Sequence, residues 1–210
     1  MLKKHIVSGG ICLALILLLI ATFQYPGGSL HDVRAAGFRW QHNYLCNLTD
    51  AKAVNGQPNA AQPWAIGGVL LLCISIALFF IRFSTKMPTA GVANVVRYAG
   101  LGSMAAALFI ITPYHNIAVN ISGTLLLLSL FYIAVYVFKS KLYYLKIHSV
   151  VSLLVFYATN FVYYTQISLA LLPILQKLTL FLVISWLLWL DYGTKKEDFQ
   201  PGVNRRKQQL

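Results

Sequence analysis

WAIGGVLLLCISIALFFI, residues 64–81, runs without a charged side chain and ends against Arg82-Phe83-Ser84-Thr85-Lys86. About 20 mainly apolar residues in a helix cross the hydrocarbon core of a bilayer. Working outward, five more stretches of the same character occur: Ile6–Phe23, Val92–Thr112, Ile117–Phe138, Ile147–Tyr164 and Leu171–Leu190. These runs are continuous and rich in Leu and Ile, whereas a membrane β-barrel alternates apolar and polar residues. The fold class that follows is all-α, a polytopic membrane protein built as a six-transmembrane-helix bundle.

Composition agrees. Hydrophobic residues make up 58% and charged residues 10% of the 210-residue chain, against roughly a quarter charged in soluble domains. The net charge of +12 would suggest nucleic acid in a soluble protein. Here the positive residues sit beside apolar runs, so the partner they predict is the lipid bilayer and no nucleic acid.

Thirteen of the seventeen Lys and Arg residues fall on one side of the six spans: Lys3, Lys4, Arg82, Lys86, Arg97, Lys139, Lys141, Lys146, Lys195, Lys196, Arg205, Arg206 and Lys207. Arg34, Arg39, Lys52 and Lys177 remain on the other. Positive residues are retained on the cytoplasmic side, so both termini are predicted to be cytoplasmic in an inner (plasma) membrane. Six crossings return the chain to its starting side, as this requires. Lys3 and Lys4 ahead of a Leu-rich run also resemble a signal peptide, but Ile20-Ala21-Thr22-Phe23-Gln24-Tyr25 lacks the small-residue processing site. It reads as an uncleaved first helix. Residues 1–194 then form the membrane domain and 195–210 a basic, disordered cytoplasmic tail.

Aromatic residues mark both interfaces: Trp64, Tyr114, Tyr163 and Tyr164 outside, Tyr143, Tyr144, Trp189 and Tyr192 inside. Ala99, Ser103 and Ala107 recur every fourth position and predict a close helix seam. Cys12 and Cys73 lie within spans and Cys46 in a loop, a distribution that predicts no disulfide framework.

The connection Gln24–Pro63 is long, and long connections tend to be functional or disordered. Phe38, Trp40, Tyr44, Leu45 and Leu48 predict an ordered extracytoplasmic cap, with turns at Tyr25-Pro26-Gly27-Gly28 and Asn55-Gly56. The same side collects most of the remaining polar chemistry. The ligand-binding candidates are Arg39, His42, Asn43, Asp50, His115, Asn116, Asn120, Asn160, Gln176 and Lys177. Asn116, Asn120 and Thr124 share one helix face, and Tyr157, Asn160 and Tyr164 another. Singly, such asparagines serve as hydrogen-bonding glue between helices. Together with the cap and His115 they suggest a shared cavity.

Three chemistries compete for that face. His42, Asp50 and His115 could supply ligands to zinc, although no HExxH, helical HxxxH or CxxC motif accompanies them. Arg34, Arg39 and Lys177 could hold an anion such as a lipid headgroup, or Arg34 and Arg39 could pair with Asp32 and Asp50 as solvated surface ions. Ser29 lies near His31 without a nucleophile-elbow motif.

The segments Tyr25-Pro26-Gly27-Gly28, Gly37-Phe38-Arg39-Trp40-Gln41-His42-Asn43-Tyr44-Leu45-Cys46-Asn47-Leu48 and Asn55-Gly56-Gln57-Pro58-Asn59, with Pro113-Tyr114-His115-Asn116 and Gln176-Lys177, resemble a family of bacterial six-helix membrane proteins. These are grouped as a domain of unknown function of the DUF998 type. The resemblance implies an inner-membrane bundle and brings no reaction with it. The paired late-helix histidines of alkaline-ceramidase-like hydrolases are missing from this sequence.

The sequence therefore predicts an integral membrane protein that binds a lipid, a small molecule or a protein partner at its extracytoplasmic face. The alternative is a metal-dependent hydrolase acting on a lipid-linked substrate in the outer leaflet. A transporter is disfavoured because no span carries an ionisable residue at its centre.

Overall fold

A computed structural model gives the structure of residues 2–200, with the backbone alone for residues 2–4. Six long helices follow in order: α1 Leu2–Gln24, α2 Gln62–Ser84, α3 Ala90–Ala107, α4 His115–Lys139, α5 Tyr143–Thr165 and α6 Leu172–Gly193. All six are long and apolar enough to cross a membrane. Large hydrophobic side chains cover the outside of the bundle, among them Phe131, Leu154 and Phe181. Buried in lipid, they are at home. The chain is a multi-pass membrane protein.

Helices run past the predicted spans because hydropathy reports where the hydrocarbon ends, not where a helix does. Tyr143-Tyr144-Leu145-Lys146 belongs to α5, and lysine is a good helix former. The third span differs in the other direction. Its regular helix stops at Ala107, a 3-10 turn covers Leu108–Ile111, and Thr112 is extended at φ −114°, ψ 171°. Pro113 follows, and a residue ahead of proline is pushed out of the helical region.

Consecutive helices pack side by side, and α2 also reaches α6. The bundle is dense at the end where α1 begins and α6 ends. Phe79, Phe80 and Phe83 of α2 are fully buried with Trp186, Leu187 and Leu190 of α6 and Leu130, Ile133 and Val137 of α4. Gly100 of α3 admits the Phe80 ring where any Cβ would collide with it. The predicted seam is present: Ala99 and Ser103 are buried. Ser103 Oγ donates to Ser122 O at 2.8 Å, and Ser129 Oγ to Val96 O at 3.0 Å.

The opposite, cap end is looser. The 3-10 turn Leu108–Ile111 buries nothing, and no residue of α5 beyond Phe156 is buried. There the α1–α2 connection folds as the sequence predicts. Gly28 N–H donates to Ala35 O at 2.7 Å, and Ala53 N–H to Gln57 O at 2.9 Å, closing the two predicted turns. Gly28 has φ +86°, and a Cβ there would strike the backbone of Asn55. Leu48 is fully buried beneath the cap, and Tyr25 nearly so.

The tail departs from expectation at its start. Lys196–Phe199 forms a 3-10 turn, and Phe199 is buried against Phe83 with ring centroids 5.6 Å apart. A lone aromatic in a polar run finds the hydrophobic floor of the bundle. Arg205, Arg206 and Lys207 lie outside the described residues, as do the side chains of Lys3 and Lys4.

Candidate functional site

The predicted site residues separate into three groups at the cap end. The first fastens the cap to α6. Asn43 is fully buried; its Oδ1 accepts from Arg39 N–H at 2.8 Å and its Nδ2 donates to Gly28 O at 2.7 Å. Lys177 Nζ donates to Asn43 O at 2.6 Å and to Pro173 O at 2.8 Å. The same ammonium lies 5.5 Å from the centre of the Phe38 ring. Gln176 Oε1 accepts from Leu45 N–H at 2.9 Å. Three polar side chains of the cap and α6, Asn43, Gln176 and Lys177, thus satisfy backbone groups, as burial away from water demands. Asn59, which the sequence did not single out, does the same for Asn47 O, Leu48 O and Asp50 O.

The second group lies between the cap and the α3–α4 turn. Asp50 and His115 interact electrostatically. Burial raises the Asp50 carboxyl above its ordinary value, and His115 and the Asn47 side chain draw it part of the way back. His115 Nδ1 is 3.2 Å from Asn116 Oδ1, which also accepts from Tyr163 OH at 3.5 Å. His42 does not join them. It packs edge-on against His31 with ring centroids 4.8 Å apart. Among the described residues no three His, Cys, Asp or Glu side chains are grouped to hold a metal. Asp50 and His115 alone fall short of the three or four ligands zinc takes.

The third group is on the α4–α5 seam. Asn120 Oδ1 accepts from Tyr164 OH at 3.1 Å, and Asn160 Nδ2 donates to its own helix at Phe156 O, 2.7 Å away. Asn160 Oδ1 points toward Gly123, where a Cβ would lie 3.7 Å from it. The predicted residues thus form three sets of contacts, and Cys46 lies among them, close enough to interact electrostatically with Lys177, Asp50 and Tyr163.

Two other readings of the cap resolve into turn chemistry. Ser29 is buried and exchanges hydrogen bonds with the backbone of Asp32. Asp32 Oδ1 accepts from Arg34 N–H at 2.9 Å, not from its guanidinium. Neither Arg34–Asp32 nor Arg39–Asp50 makes an ion pair among the described residues, where the pair is Arg82–Asp191 at 3.6 Å.

Two features escaped the sequence reading. One is at the end where α1 begins and α6 ends. Lys86 Nζ donates to Leu190 O, Asp191 O and Thr194 O at 2.9–3.1 Å, closing the C-terminal turn of α6. Beside it the Asp191 side chain is only 2% exposed. The other is a groove of about 290 Å³ between α1 and α6, lined by Leu15, Leu18, Leu19 and Thr22 on one wall and Leu180, Phe181 and Ile184 on the other. Trp40 and Leu45 of the cap roof it, and Lys177 stands at its cap end. Leu19 and Phe181 are exposed on its rim, so the groove opens sideways to lipid. Grooves between helices distant in sequence leave no periodic signal. Only the cap-end lysine, out of place against the charge bias, hinted at this one.

No protein-family profile, curated protein or solved structure matches the chain. The DUF998-type resemblance thus gains no support from these comparisons, and the assignment as a multi-pass membrane protein rests on the six apolar helices themselves.

Proposed function

We propose that this protein binds a lipid at its extracytoplasmic face, with one acyl chain in the α1–α6 groove and an acidic headgroup near Lys177. The observation that carries this reading is the groove itself, apolar along its length, open to the bilayer and roofed by the cap. Moving a chain from bilayer to groove exchanges one hydrocarbon environment for another, so the transfer contributes little affinity. Selection must come from shape and charge. Lys177 lies five residues into α6, roughly 8 Å below its cap-end start. Its two carbonyl partners hold the ammonium in place without neutralising it. A cation fixed near headgroup depth above an apolar slot favours an anionic lipid.

In this reading the cap is extracytoplasmic and both termini are cytoplasmic, which the lysine and arginine distribution supports. Placement in a bacterial inner membrane draws only on the family resemblance. The Asp50–His115 pair gives the hydrolase alternative two of the groups it would need, and nothing completes them.

Native mass spectrometry of the purified protein tests the proposal. One phospholipid should remain bound, enriched in acidic over zwitterionic headgroups. Filling the slot with Leu19→Trp and Leu180→Trp should lower its occupancy about tenfold, the loss that roughly 1.4 kcal/mol of binding free energy produces. Undiminished retention in the filled variant, with the fold intact, would remove the groove from consideration.

A further inference from the structure

The cap half of the α4–α5 face is polar where it meets the hydrocarbon. Asn120, Thr124, Tyr157, Asn160 and Tyr164 occupy it; Tyr157 is 64% and Tyr164 57% exposed. Asn120 and Asn160 each lie five residues from the cap end of their helix, roughly 8 Å along the axis, and Tyr157 lies about 12 Å along it. Thr124 satisfies itself by donating to Asn120 O at 2.8 Å. The amides do not. Asn120 uses its Oδ1 for Tyr164, and its Nδ2 has no hydrogen-bond partner among the described residues. Asn160 uses its Nδ2 for Phe156 O, and its Oδ1 has none. Asn160 Oδ1 is turned toward Gly123 of its own chain, whereas Asn120 keeps an open donor and a second lone pair on this face, at a depth where acyl chains offer no partner. Polar groups so placed normally face protein, because the lipid alternative is costly.

We infer that this face is the contact between two copies of the chain, joined about a two-fold axis near Asn120 and Asn160. Three observations favour a second copy over another occupant. A two-fold contact brings each group against its symmetry mate's surroundings, so Asn120 Nδ2 of one copy can donate to the second lone pair of Asn120 Oδ1 of the other, and the reverse. The face needs no complement of different chemistry. No Lys, Arg, Asp or Glu lies on α4 or α5 between His115 and Phe138 or between Ser149 and Thr165, so a chain of net charge +12 meets itself here without repulsion. Lys139, Lys141 and Lys146 crowd the other end of the same two helices, which keeps the contact in the cap half. Side-chain amides joining helices in this way are a common means of association within membranes.

Cysteine cross-linking of the full chain in its own membranes tests this inference. Thr124→Cys places a thiol on the face, and the native Cys12, exposed on α1, reports on a different surface. Under mild oxidation Thr124→Cys should give a disulfide-linked product of twice the 23.4 kDa chain, and the unmodified protein should not. Adding Asn120→Leu and Asn160→Leu should weaken the association about tenfold, the product of two modest intramembrane hydrogen bonds lost, while circular dichroism remains that of the six-helix bundle. Ile121→Cys, exposed one turn away, repeats the test should Thr124→Cys misfold. The inference fails if neither thiol forms the dimer, if Cys12 alone links the copies, or if cross-linking is indifferent to the asparagines. It also fails if those substitutions release a bound lipid from a monomer, or if the cross-linked partner is a different protein.

Discussion

Lys86 shows how far a residue's role can lie from the signal that locates it. In the sequence it is one of thirteen positive charges on the side of the spans predicted to be cytoplasmic. In the structure it caps α6, with its ammonium directed at the carbonyls of Leu190, Asp191 and Thr194 at the helix end; of these Leu190 O also accepts from Thr194 Oγ1. Burial pulls its basicity below the usual lysine value, and Asp191 partly restores it. Lys86→Met should destabilise the bundle by about 3 kcal/mol, because it strands the Asp191 and Thr194 carbonyls and weakens the compensation of a buried carboxylate. Thermal unfolding in detergent measures this, and a change within the usual range of surface substitutions would show the cap to be dispensable. Cys46 carries a second residue-scale prediction. Burial raises its thiol to about 11, so at pH 8 only about a thousandth is thiolate. Iodoacetamide should modify it slowly at neutral pH and progressively faster toward pH 11, in contrast to a cysteine placed at exposed Ala36. The linkage has a definite sign. Between pH 9 and about 11 the unfolded thiol ionises and the folded one does not, so cap stability is whole below that window and declines through it. Cys46→Ser should flatten this decline in a pH series of unfolding measurements. Neither residue's role was legible in sequence: each depends on a partner at long range or on burial beneath a loop.

At the scale of elements, the spans were legible and the attachments between them were not. Hydropathy found all six helices because twenty apolar residues have few alternatives to crossing a bilayer. It was silent on the cap's fastening, since Asn43 and Lys177 are 134 positions apart and nothing in either segment declares the other. The sequence grouped Asn43, Gln176 and Lys177 as ligand-binding candidates because buried amides and an ill-placed lysine look alike whether they face a ligand or a carbonyl. Their geometry fastens the cap to α6, and the Lys177 ammonium also stands on the lining of the groove. Gly28 belongs to the legible part: a turn signal in sequence, it has φ +86° and no room for a Cβ. Asn43→Ala should leave the buried Gly28 carbonyl and the Arg39 N–H poorly satisfied, at about 1–3 kcal/mol for each orphaned group. The loss should be local. Limited proteolysis should cut between residues 25 and 61 in the variant while the helices stay protected, and uniform susceptibility would mean that cap and bundle fold as one unit.

The whole molecule is asymmetric along its axis, with an aromatic-rich, closely packed end where α1 begins and α6 ends and a looser end beneath the cap. At the closely packed end α1 and α6 are tied together, Tyr192 OH meeting His5 Nδ1 at 2.9 Å and Ser8 Oγ at 2.5 Å; toward the cap they part around the groove. That architecture requires a definite orientation if the groove is to take lipid from the outer leaflet. The charge distribution predicts one: four positive residues of the sequence fall on the cap side of the spans against thirteen on the other, and the more positive side is expected in the cytoplasm. The tight end's Lys86 and Arg82 are occupied with α6, yet their contribution to insertion acts before that packing forms, so the bias holds. A membrane-impermeant maleimide added to intact cells should therefore label Ala36→Cys in the cap and leave Lys195→Cys unlabelled until the membrane is opened. Lys195 follows the last helix directly and Ala36 is exposed, so both thiols are reachable once the reagent is on their side. The reverse pattern would place the cap in the cytoplasm and direct the groove to the inner leaflet, leaving its shape unchanged and altering which lipids it could meet.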